Sequence, residues 1–352
     1  MKGRQVVLGR LFGQEAAALV EDGVLVDLLP SAEALTPLAP GAICRAVTDR
    51  LMKGQGGAFL RLPDGQTGYL RDRKGLGEGK PVLVQVTGVA EPGKAVPLTS
   101  RLIYRGRHVL VTPGAPGVNV SRRVRDPEIR DALQDLGETA RGAREHGLIL
   151  RGISAEADPD EVAAEIVELL DLADQIGAEA TGAPELLLDA PAPHELAWLD
   201  WGDPEPDAVE EGEDSFERCG VLDAVDALLS PRVLLGGGAD AWIEQTRALV
   251  AIDVNTGSDN SPAASLKANI ALARDLPRQL RLRGLGGQIV IDFAPMPKRD
   301  RGTLEQVLQA AFRSTGAEVT LTGWTAMGLF EMNRKRDRVP LRRLAEAASE
   351  VR

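Results

Sequence analysis

Apolar and polar residues alternate over short runs in the first hundred residues, a pattern that predicts strands rather than helices. Apolar runs at 6–8, 16–20 and 24–29 are each typical of a strand, and the Glu-Asp-Gly segment between the last two predicts a hairpin turn. Residues 30–41 are rich in proline and alanine and predict a linker. The chain therefore begins with a small group of paired strands.

Residues 42–99 carry further short apolar runs separated by glycine-rich turns. Two of them, 58–60 and 68–70, flank Pro63-Asp64-Gly65, a good turn signal, and 81–89 follows as another strand. Short strands of this spacing are typical of an OB-fold barrel. On pattern alone, an all-β unit without any ligand fits equally well.

Between residues 107 and 176 the chain shows both short apolar runs typical of strands and apolar residues at helical spacing. Residues 107–112 and 147–153 predict strands, whereas 159–176 repeats apolar residues at helical spacing and predicts an amphipathic helix. The stretch 190–217 is rich in proline and acidic residues and predicts a loop or a mobile insert.

From residue 218 the pattern alternates between helix and strand, which is typical of a sheet with helices packed on it. The predicted elements are, in order, a helix at 221–229, a strand at 247–254, a helix at 265–283 interrupted by Pro277, a strand at 288–293, a helix at 304–313 and a strand at 318–322.

Charge is distributed unevenly along the chain. The formal net charge is −11, but residues 152–217 contain 21 Asp and Glu and no Lys or Arg. The other residues are 41 basic and 31 acidic (52 less those 21), a balance of +10. The acidic block predicts a solvated face or a mobile segment, and the basic remainder is compatible with a polyanionic partner.

The cysteines and the apolar runs indicate in which cellular compartment the protein is expected. Cys44 and Cys219 lie far apart in sequence, which argues against a disulfide framework and against a cysteine-built zinc site. No apolar run is long enough to span a bilayer, and the first residues lack the apolar region of a secretion signal. We therefore expect a cytoplasmic protein without a membrane span.

Candidate chemistry lies at the ends of two apolar strands. Asp253 and Asn255 fall on the same face of the strand 249–255, and Asp292 ends the strand 289–292. Because an unpaired carboxylate is costly in apolar surroundings, a divalent cation that bridges both carboxylates would satisfy them, and magnesium prefers such ligands. On spacing alone, aspartates that merely cap strands or helices are the commoner explanation.

Two basic clusters flank these strands. Arg274, Arg278, Arg281 and Arg283 lie on one predicted helix, and the segment 333–338 (NRKRDR) follows the last predicted strand. Most single charges of this kind only keep a surface solvated, but together they are predicted to hold phosphates near the metal.

At these residues the sequence resembles the ribonuclease E/G family. Four blocks carry the resemblance in order, namely 248–255 (ALVAIDVN), 278–287 (RQLRLRGLGG), 289–293 (IVIDF) and 328–336 (GLFEMNRKR). Four ordered blocks are a more specific signal than one short motif. The resemblance is strong over 218–340 and looser, but continuous in order, from residue 4.

The resemblance implies a magnesium-dependent endoribonuclease that cuts single-stranded RNA, with manganese as an alternative metal. It places Asp253 and Asp292 on the metal-binding aspartates and Asn255 on the asparagine that positions the attacking water. A non-catalytic RNA-binding relative is the main alternative, and a metal-dependent phosphodiesterase acting on another substrate is a weaker one.

RNA contacts are implied in the barrel and beyond it. Phe59 and Tyr69 keep the ten-residue spacing of the family's two barrel aromatics, although a place in the barrel core is as compatible for Phe59. Lys94 falls on a basic RNA-contacting position, and Arg122 falls in a similar basic stretch, so the resemblance implies an RNA contact for both.

The resemblance also implies a pocket that senses a 5′-monophosphate. Arg151 falls on its arginine and Gly106 on a pocket glycine, but Gly152 stands where the family has threonine, so a hydroxyl donor is missing. The paired-cysteine zinc motif is absent as well. We therefore expect no zinc and no zinc-linked dimer, although a homodimer remains compatible with the family.

The implied fold class is a mixed α+β and α/β chain of several subdomains. Residues 1–36 and 181–238 would form a ribonuclease-H-like subdomain, the second part carrying the acidic insert. The OB-fold barrel at 37–100 and the sensor at 101–180 would be inserted in it. Residues 239–345 would form a deoxyribonuclease-like catalytic subdomain.

Overall fold

The computed structural model describes residues 3–52, 54, 56–72, 74–259 and 261–350. They divide into two compact units, the first with residues 7–30 and 210–350 and the second with residues 3–6 and 31–209. Within the described residues, no helix combines the length and the apolar character that crossing a membrane requires.

The described strands, in chain order, are β1 (Arg4–Leu11), β2 (Gln14–Glu21), β3 (Val24–Pro30), β4 (Ile43–Leu51), β5 (Ala58–Arg61), β6 (Thr67–Leu70), β7 (Pro81–Val86), β8 (Val96–Thr99), β9 (Tyr104–Arg105), β10 (Val109–Thr112), β11 (Gly117–Val120), β12 (Gly147–Leu150), β13 (Glu185–Leu188), β14 (Ala208–Glu211), β15 (Arg232–Gly236), β16 (Ala239–Gln245), β17 (Val250–Asn255), β18 (Gly287–Asp292), β19 (Val319–Trp324) and β20 (Phe330–Arg334).

The described α-helices are α1 (Pro127–Arg141), α2 (Pro159–Ala178), α3 (Pro193–Trp201), α4 (Ser215–Arg218), α5 (Val221–Leu229), α6 (Pro262–Leu282), α7 (Lys298–Thr315) and α8 (Leu341–Glu350). Short 3-10 turns occupy Pro63–Gly65 and Gly152–Ala155.

A closed five-stranded barrel forms part of the second unit. Strands β4, β5, β6, β8 and β7 follow one another in hydrogen-bonded order, and an additional β4–β7 pairing closes the ring. Leu60 and Val84 lie fully buried inside it. The barrel predicted for this part of the chain is therefore confirmed as OB-like.

The second unit also contains a four-stranded sheet in the order β11-β12-β10-β9, with α1 and α2 packed on it. The predicted helix at 159–176 is confirmed as α2, whose buried residues repeat at helical spacing. Helix α1 was not predicted, although Asp126 and Pro127 supply an ordinary start signal. The Asp126 carboxylate accepts hydrogen bonds from the backbone N–H of Glu128 and Ile129.

The acidic stretch 190–217 is not the loop that its composition predicts. It contains α3, β14 and α4, and Ala197 and Trp201 of α3 are buried. Several carboxylates of the wider acidic block pair with arginines rather than only with water. Arg45, for example, is 5% exposed and binds both Glu179 and Glu185.

A small sheet has the order β14-β1-β2-β3, and its strands β2 and β3 belong to the first unit. The predicted hairpin between β2 and β3 is confirmed, since Glu21 pairs with Val24 across the turn. Asp22 and Gly23 have φ of 48° and 80° there. Tight hairpin turns need positive φ at both central residues, a conformation that Asp and Gly tolerate well.

The larger sheet of the first unit has the order β15-β16-β17-β18-β20-β19. Apolar residues of α6 and α7, such as Leu272 and Leu304, pack against one face of it and bury Ile252 and Ile291. The strands predicted at 247–254, 288–293 and 318–322 are confirmed as β17, β18 and β19. We call the opposite face, which α6 and α7 do not cover, the outer face.

Helix α6 runs unbroken through Pro277, so the predicted interruption is wrong. A proline inside a helix removes one backbone hydrogen bond. Leu272, Leu276 and Leu280 are fully buried on the sheet-facing side of the same helix. Their packing outweighs the missing bond.

Candidate active site

Asp253 and Asp292 stand side by side at the ends of two parallel strands. Strands β17 and β18 pair in parallel, and their register sets Asp253 opposite Asp292. Because adjacent parallel strands present same-register side chains on the same face, both carboxylates leave the sheet in the same direction. The structure thus brings together two aspartates that are 39 positions apart in the printed sequence.

Both carboxylates point away from the helices. Val250, Ile252 and Val254 of β17 are buried toward α6, whereas Asp253 and Asn255 alternate with them and are exposed. Asp292 is exposed in the same way at the end of β18. The expectation of carboxylates in costly apolar surroundings is therefore wrong, because alternation along each strand carries them to the outer face.

Asn255 is tied to this pair, and a buried asparagine holds the chain next to it. The Asn255 amide donates a hydrogen bond of 2.9 Å to Oδ2 of Asp253. After Asp292, the backbone of Ala294 is clamped by Asn269 of α6, which donates to its carbonyl at 2.9 Å and accepts from its N–H at 3.0 Å. Asn269 is fully buried, so the segment that follows Asp292 is fixed.

The donor set consists of two carboxylates and one amide. Among the described residues, no group of three or more His, Cys, Asp or Glu side chains is placed to hold a metal ion. Magnesium and manganese are hard cations that take oxygen ligands, and magnesium is commonly held by one or two carboxylates with water and phosphate completing its shell. The chemistry of Asp253 and Asp292 fits such an ion.

The three side chains of the site, Asp253, Asn255 and Asp292, are exposed. A cavity of about 600 Å³ in the same unit is lined by Leu25, Leu228, Arg278 and Arg283 among others, but by neither aspartate. An open sheet face admits a long polymer more readily than a closed pocket does.

The arginines of α6 serve mostly as structural groups. Arg278 pairs with Asp275 at 2.6 Å and donates to the carbonyl of Leu25 at 3.0 Å. Arg281 donates to the carbonyl of Val26 at 2.6 Å, and burial lowers the pKa of its guanidinium. Their donors are engaged by the protein, so the prediction that they hold phosphates near the metal is not supported.

Arg283 is the most buried member of that cluster. It is 7% exposed, and its Nη1 donates to the carbonyls of Leu228 and Ser230 at the end of α5. Burial lowers the pKa of Arg283 to about 10, so the group remains protonated at neutral pH. Arg274 is exposed, and the sequence alone could not show that Arg283 is buried and Arg274 is not.

The second basic cluster, residues 333–338, is likewise partly engaged. Arg334 is 3% exposed and binds Asp337, while Arg338 binds Asp27 at 3.0 Å. Lys335 pairs with Glu318 at 2.8 Å. These contacts hold β19, β20 and the neighbouring strands together.

In the second unit, Phe59 and Tyr69 form a ring pair on the barrel. Antiparallel β5 and β6 set them opposite each other, and their ring centroids are 5.5 Å apart. Both are half-buried and alternate with the buried Leu60 and Leu70. A place for Phe59 in the barrel core is therefore wrong. The Arg50 guanidinium lies 5.1 Å from the Phe59 ring centroid, and a cation adds to the attraction of such a face.

Lys94 and Arg122 are exposed residues of the same unit. Lys94 lies in the turn before β8 and pairs with Glu91. Arg122 lies in the loop after β11, next to Arg123. Arg130 of α1 holds this loop through the carbonyls of Ser121 and Val124, at 2.8 and 2.9 Å.

Arg151 and Gly106 are joined by a hydrogen bond. Nη1 of Arg151 donates to the Gly106 carbonyl at 2.9 Å. A Cβ at Gly106 would lie 1.8 Å from Oε1 of Glu165, so a larger residue there would displace the Glu165 side chain. Burial, followed by the nearby charge of Arg105, lowers the pKa of Arg151.

Two aspartates of the acidic segment stand among these arginines. Asp200 of α3 binds Arg105, and Asp203 lies 3.5 Å from Nη1 of Arg123. A Cβ at Gly152 would lie 3.1 Å from Oδ2 of Asp203, so the missing side chain leaves room for this carboxylate. The charges that a phosphate would meet here are already partly neutralised.

Comparison with known proteins gives one consistent result. The sequence model of the Ribonuclease E/G family matches residues 104–203 and 203–337. The chain is 31% identical over 295 residues to the Ribonuclease E of Nostoc sp., a match that covers 72% of this chain and 43% of that protein. It is 26% identical over 298 residues to the Ribonuclease G of Escherichia coli K12, covering 74% of this chain and 60% of that protein.

The two matches cover a larger share of this chain than of either relative. The chain thus spans about half the length of the curated relatives that it matches.

Proposed function

Because the chain belongs to the ribonuclease E/G family, we propose that it is an endoribonuclease of RNA processing or decay that cuts single-stranded RNA on the outer face of its larger sheet. The observation that carries this proposal is the placement of Asp253 and Asp292 at one register of adjacent parallel strands, both exposed. Two carboxylates in this arrangement suit a divalent cation and a phosphodiester in the same place.

Asp253 and Asp292 would hold a magnesium or a manganese ion. Such an ion, when bound, supplies electrostatic stabilisation for the charge that develops on phosphate. The Asn255 amide N–H already donates to Asp253, which leaves the Asn255 carbonyl oxygen to accept a hydrogen bond from a water. Attack of that water on phosphorus would form a new P–O bond and break the bond to the 3′-oxygen. The water releases one proton to solvent and the 3′-oxygen takes one up, which leaves a 5′-phosphate and a 3′-hydroxyl.

The experiment is cleavage of a labelled AU-rich single-stranded RNA and of the matching duplex, in magnesium and in EDTA, with the product ends identified. We expect internal cuts in the single strand only, only in magnesium, with 5′-phosphate and 3′-hydroxyl ends. Binding without cuts under every condition would replace the proposal with a non-catalytic RNA-binding relative.

We also propose that the barrel of the second unit binds RNA through Phe59 and Tyr69, with Lys94 and Arg122 as basic contacts. Phe59→Ala and Tyr69→Ala should each weaken binding of a short single-stranded RNA in EDTA by about 5- to 150-fold, the range expected from stacking of about 1–3 kcal/mol per base. Because the two rings touch, the double variant should lose less than the product of the single losses.

Fluorescence anisotropy of the labelled RNA measures this. Thr67→Ala is the matched control, since Thr67 is exposed on the same face of β6 as Tyr69 and carries no ring. Affinities of Phe59→Ala and Tyr69→Ala equal to that of Thr67→Ala would exclude the ring pair from RNA binding.

Sensing of a 5′-monophosphate by Arg151 and Gly106 is proposed to be weak in this chain, because Asp200 and Asp203 already neutralise neighbouring arginines. The wild type should cut 5′-monophosphorylated and 5′-hydroxyl RNA at similar rates. Asp203→Asn should raise the ratio of these rates by about fivefold, the effect of a partly exposed charge interaction of about 1 kcal/mol.

Initial rates on the two RNAs, compared between wild type and Asp203→Asn, measure this ratio. Glu205→Gln is the charge control, because Glu205 is an exposed acidic residue of the same segment. Asp207 is exposed as well, but its carboxylate accepts a hydrogen bond from the backbone N–H of Arg4, which a substitution would disturb. A strong monophosphate preference in the wild type would contradict the proposed neutralisation.

A further inference from the structure

Trp242 of β16 is a large aromatic residue that is 40% exposed on the outer face. The other tryptophan of this unit, Trp324, is packed by the rings of Phe293 and Phe330 and by the Arg301 guanidinium, which lies 4.2 Å from its ring centroid. No aromatic ring or guanidinium stacks on the Trp242 indole within the part of the chain that the structure describes. Its ring is therefore available to a ligand.

The register of the sheet sets Trp242 in one row with the acidic pair. Trp242 is opposite Asp253 across β16 and β17, and Asp253 is opposite Asp292 across β17 and β18. All three are exposed on the outer face. Two strand spacings, about 10 Å, separate Trp242 from Asp292, and directly opposed side chains such as Trp242 and Asp253 have Cβ atoms about 5 Å apart.

On the side of Trp242 away from Asp253, the row continues onto β15. Arg232 is opposite Trp242 on β15, but its Nε donates to Oδ2 of Asp240 at 2.6 Å, so the guanidinium is turned to that carboxylate. Leu234, further along β15, is 75% exposed. On the β15 side, Arg232 and Leu234 thus border the row that Trp242 shares with the carboxylates.

We propose that Trp242 is a substrate-positioning residue whose indole stacks on a nucleobase of the RNA strand that has its phosphate at Asp253 and Asp292. The inference rests on the proposed function and names the part of the substrate that meets this side of the site. Every nucleobase has a π face, so such a contact is tolerant of sequence. It fixes the strand next to the carboxylates rather than selecting one base.

Kinetics of cleavage give the first readout. Trp242→Ala should raise KM about tenfold and leave kcat nearly unchanged, because the stack forms in the ground state and in the transition state alike. Trp242→Phe should fall between wild type and Trp242→Ala. Trp198→Ala is the matched control, since Trp198 on α3 is 42% exposed and lies in the other unit.

A set of RNAs with one abasic residue at each position around the cleavage site gives the decisive readout. In the wild type, an abasic residue at one position beside that site should raise KM about tenfold, whereas Trp242→Ala should be insensitive at that same position. Equal responses of both proteins at every position would overturn the inference and leave the proposed nuclease intact.

A measurement without cleavage separates this inference from the proposed function. In EDTA, the difference in fluorescence between wild type and Trp242→Phe isolates the emission of Trp242. Quenching of that emission by a short AU-rich RNA supports stacking even if the protein fails to cut. Unchanged emission at saturating RNA, in a protein that does cut in magnesium, overturns stacking alone.

Discussion

The Asp292→Asn variant is expected to cut single-stranded RNA about a thousandfold more slowly than the wild type, because it loses several kcal/mol of charge stabilisation at phosphate and each 1.4 kcal/mol is about tenfold in rate. RNA affinity should stay within about twofold, since the proposed barrel contacts lie in the other unit. Single-turnover cleavage in magnesium and anisotropy in EDTA measure the two quantities.

The control for this variant is Asp223→Asn. Asp223 is an exposed aspartate on α5 in the same unit, so the same change of charge occurs outside the acidic pair. Its cleavage rate should equal that of the wild type. If Asp292→Asn cuts at the rate of Asp223→Asn, the proposed role of Asp292 is wrong.

The second large effect is expected on stability. Arg283→Ala should lower the free energy of unfolding of the first unit by about 2–4 kcal/mol, because the buried carbonyl of Leu228 and the partly buried carbonyl of Ser230 lose their donor. The last carbonyls of a helix lack partners within the helix, and here the side chain of Arg283, the residue that follows α6, supplies a donor. Urea unfolding followed by circular dichroism measures the change.

Arg274→Ala is the matched control, because Arg274 lies on α6, the helix that Arg283 follows directly, and is exposed. Its unfolding free energy should stay within about 0.5 kcal/mol of the wild type. Equal stability of the Arg283→Ala and Arg274→Ala variants would show that Arg283 does not hold α5 in place.

Elements with a strong local period were predictable from the sequence. Apolar residues at helical spacing marked α2, and the turn at Asp22 and Gly23 marked the hairpin of β2 and β3. The barrel followed from its short strands and its turns. Strands β15, β16 and β20 were not predicted, although β15 and β16 pair with each other across a short turn and β20 pairs with β19.

The acidic segment shows why composition misled the prediction at 190–217. Proline and acidic residues usually indicate a loop, but Pro193 occupies the first turn of α3, where proline is tolerated. The side chain of Trp201 is buried and packs that helix into the second unit. Tertiary packing, which composition does not report, decided the structure of this segment.

The residues of the candidate site could be picked out from the sequence, but their exposure could not be predicted. Alternation along β17 correctly set Asp253 and Asn255 on one face, and the sheet brings Asp292 beside them. Apolar neighbours in sequence suggested buried carboxylates, whereas those neighbours face α6 and the carboxylates face outward. Trp242 was missed because only the register of β16 against β17 reveals that it adjoins Asp253.

The most direct test of the central claim compares the wild type with the Asp253→Asn/Asp292→Asn double variant on one 5′-labelled AU-rich RNA, in magnesium and in EDTA. We predict internal cuts from the wild type in magnesium alone, with RNA binding retained by both proteins. Cutting by the double variant, or magnesium-independent cutting by the wild type, would contradict the assignment of Asp253 and Asp292 as the metal-binding centre of a nuclease.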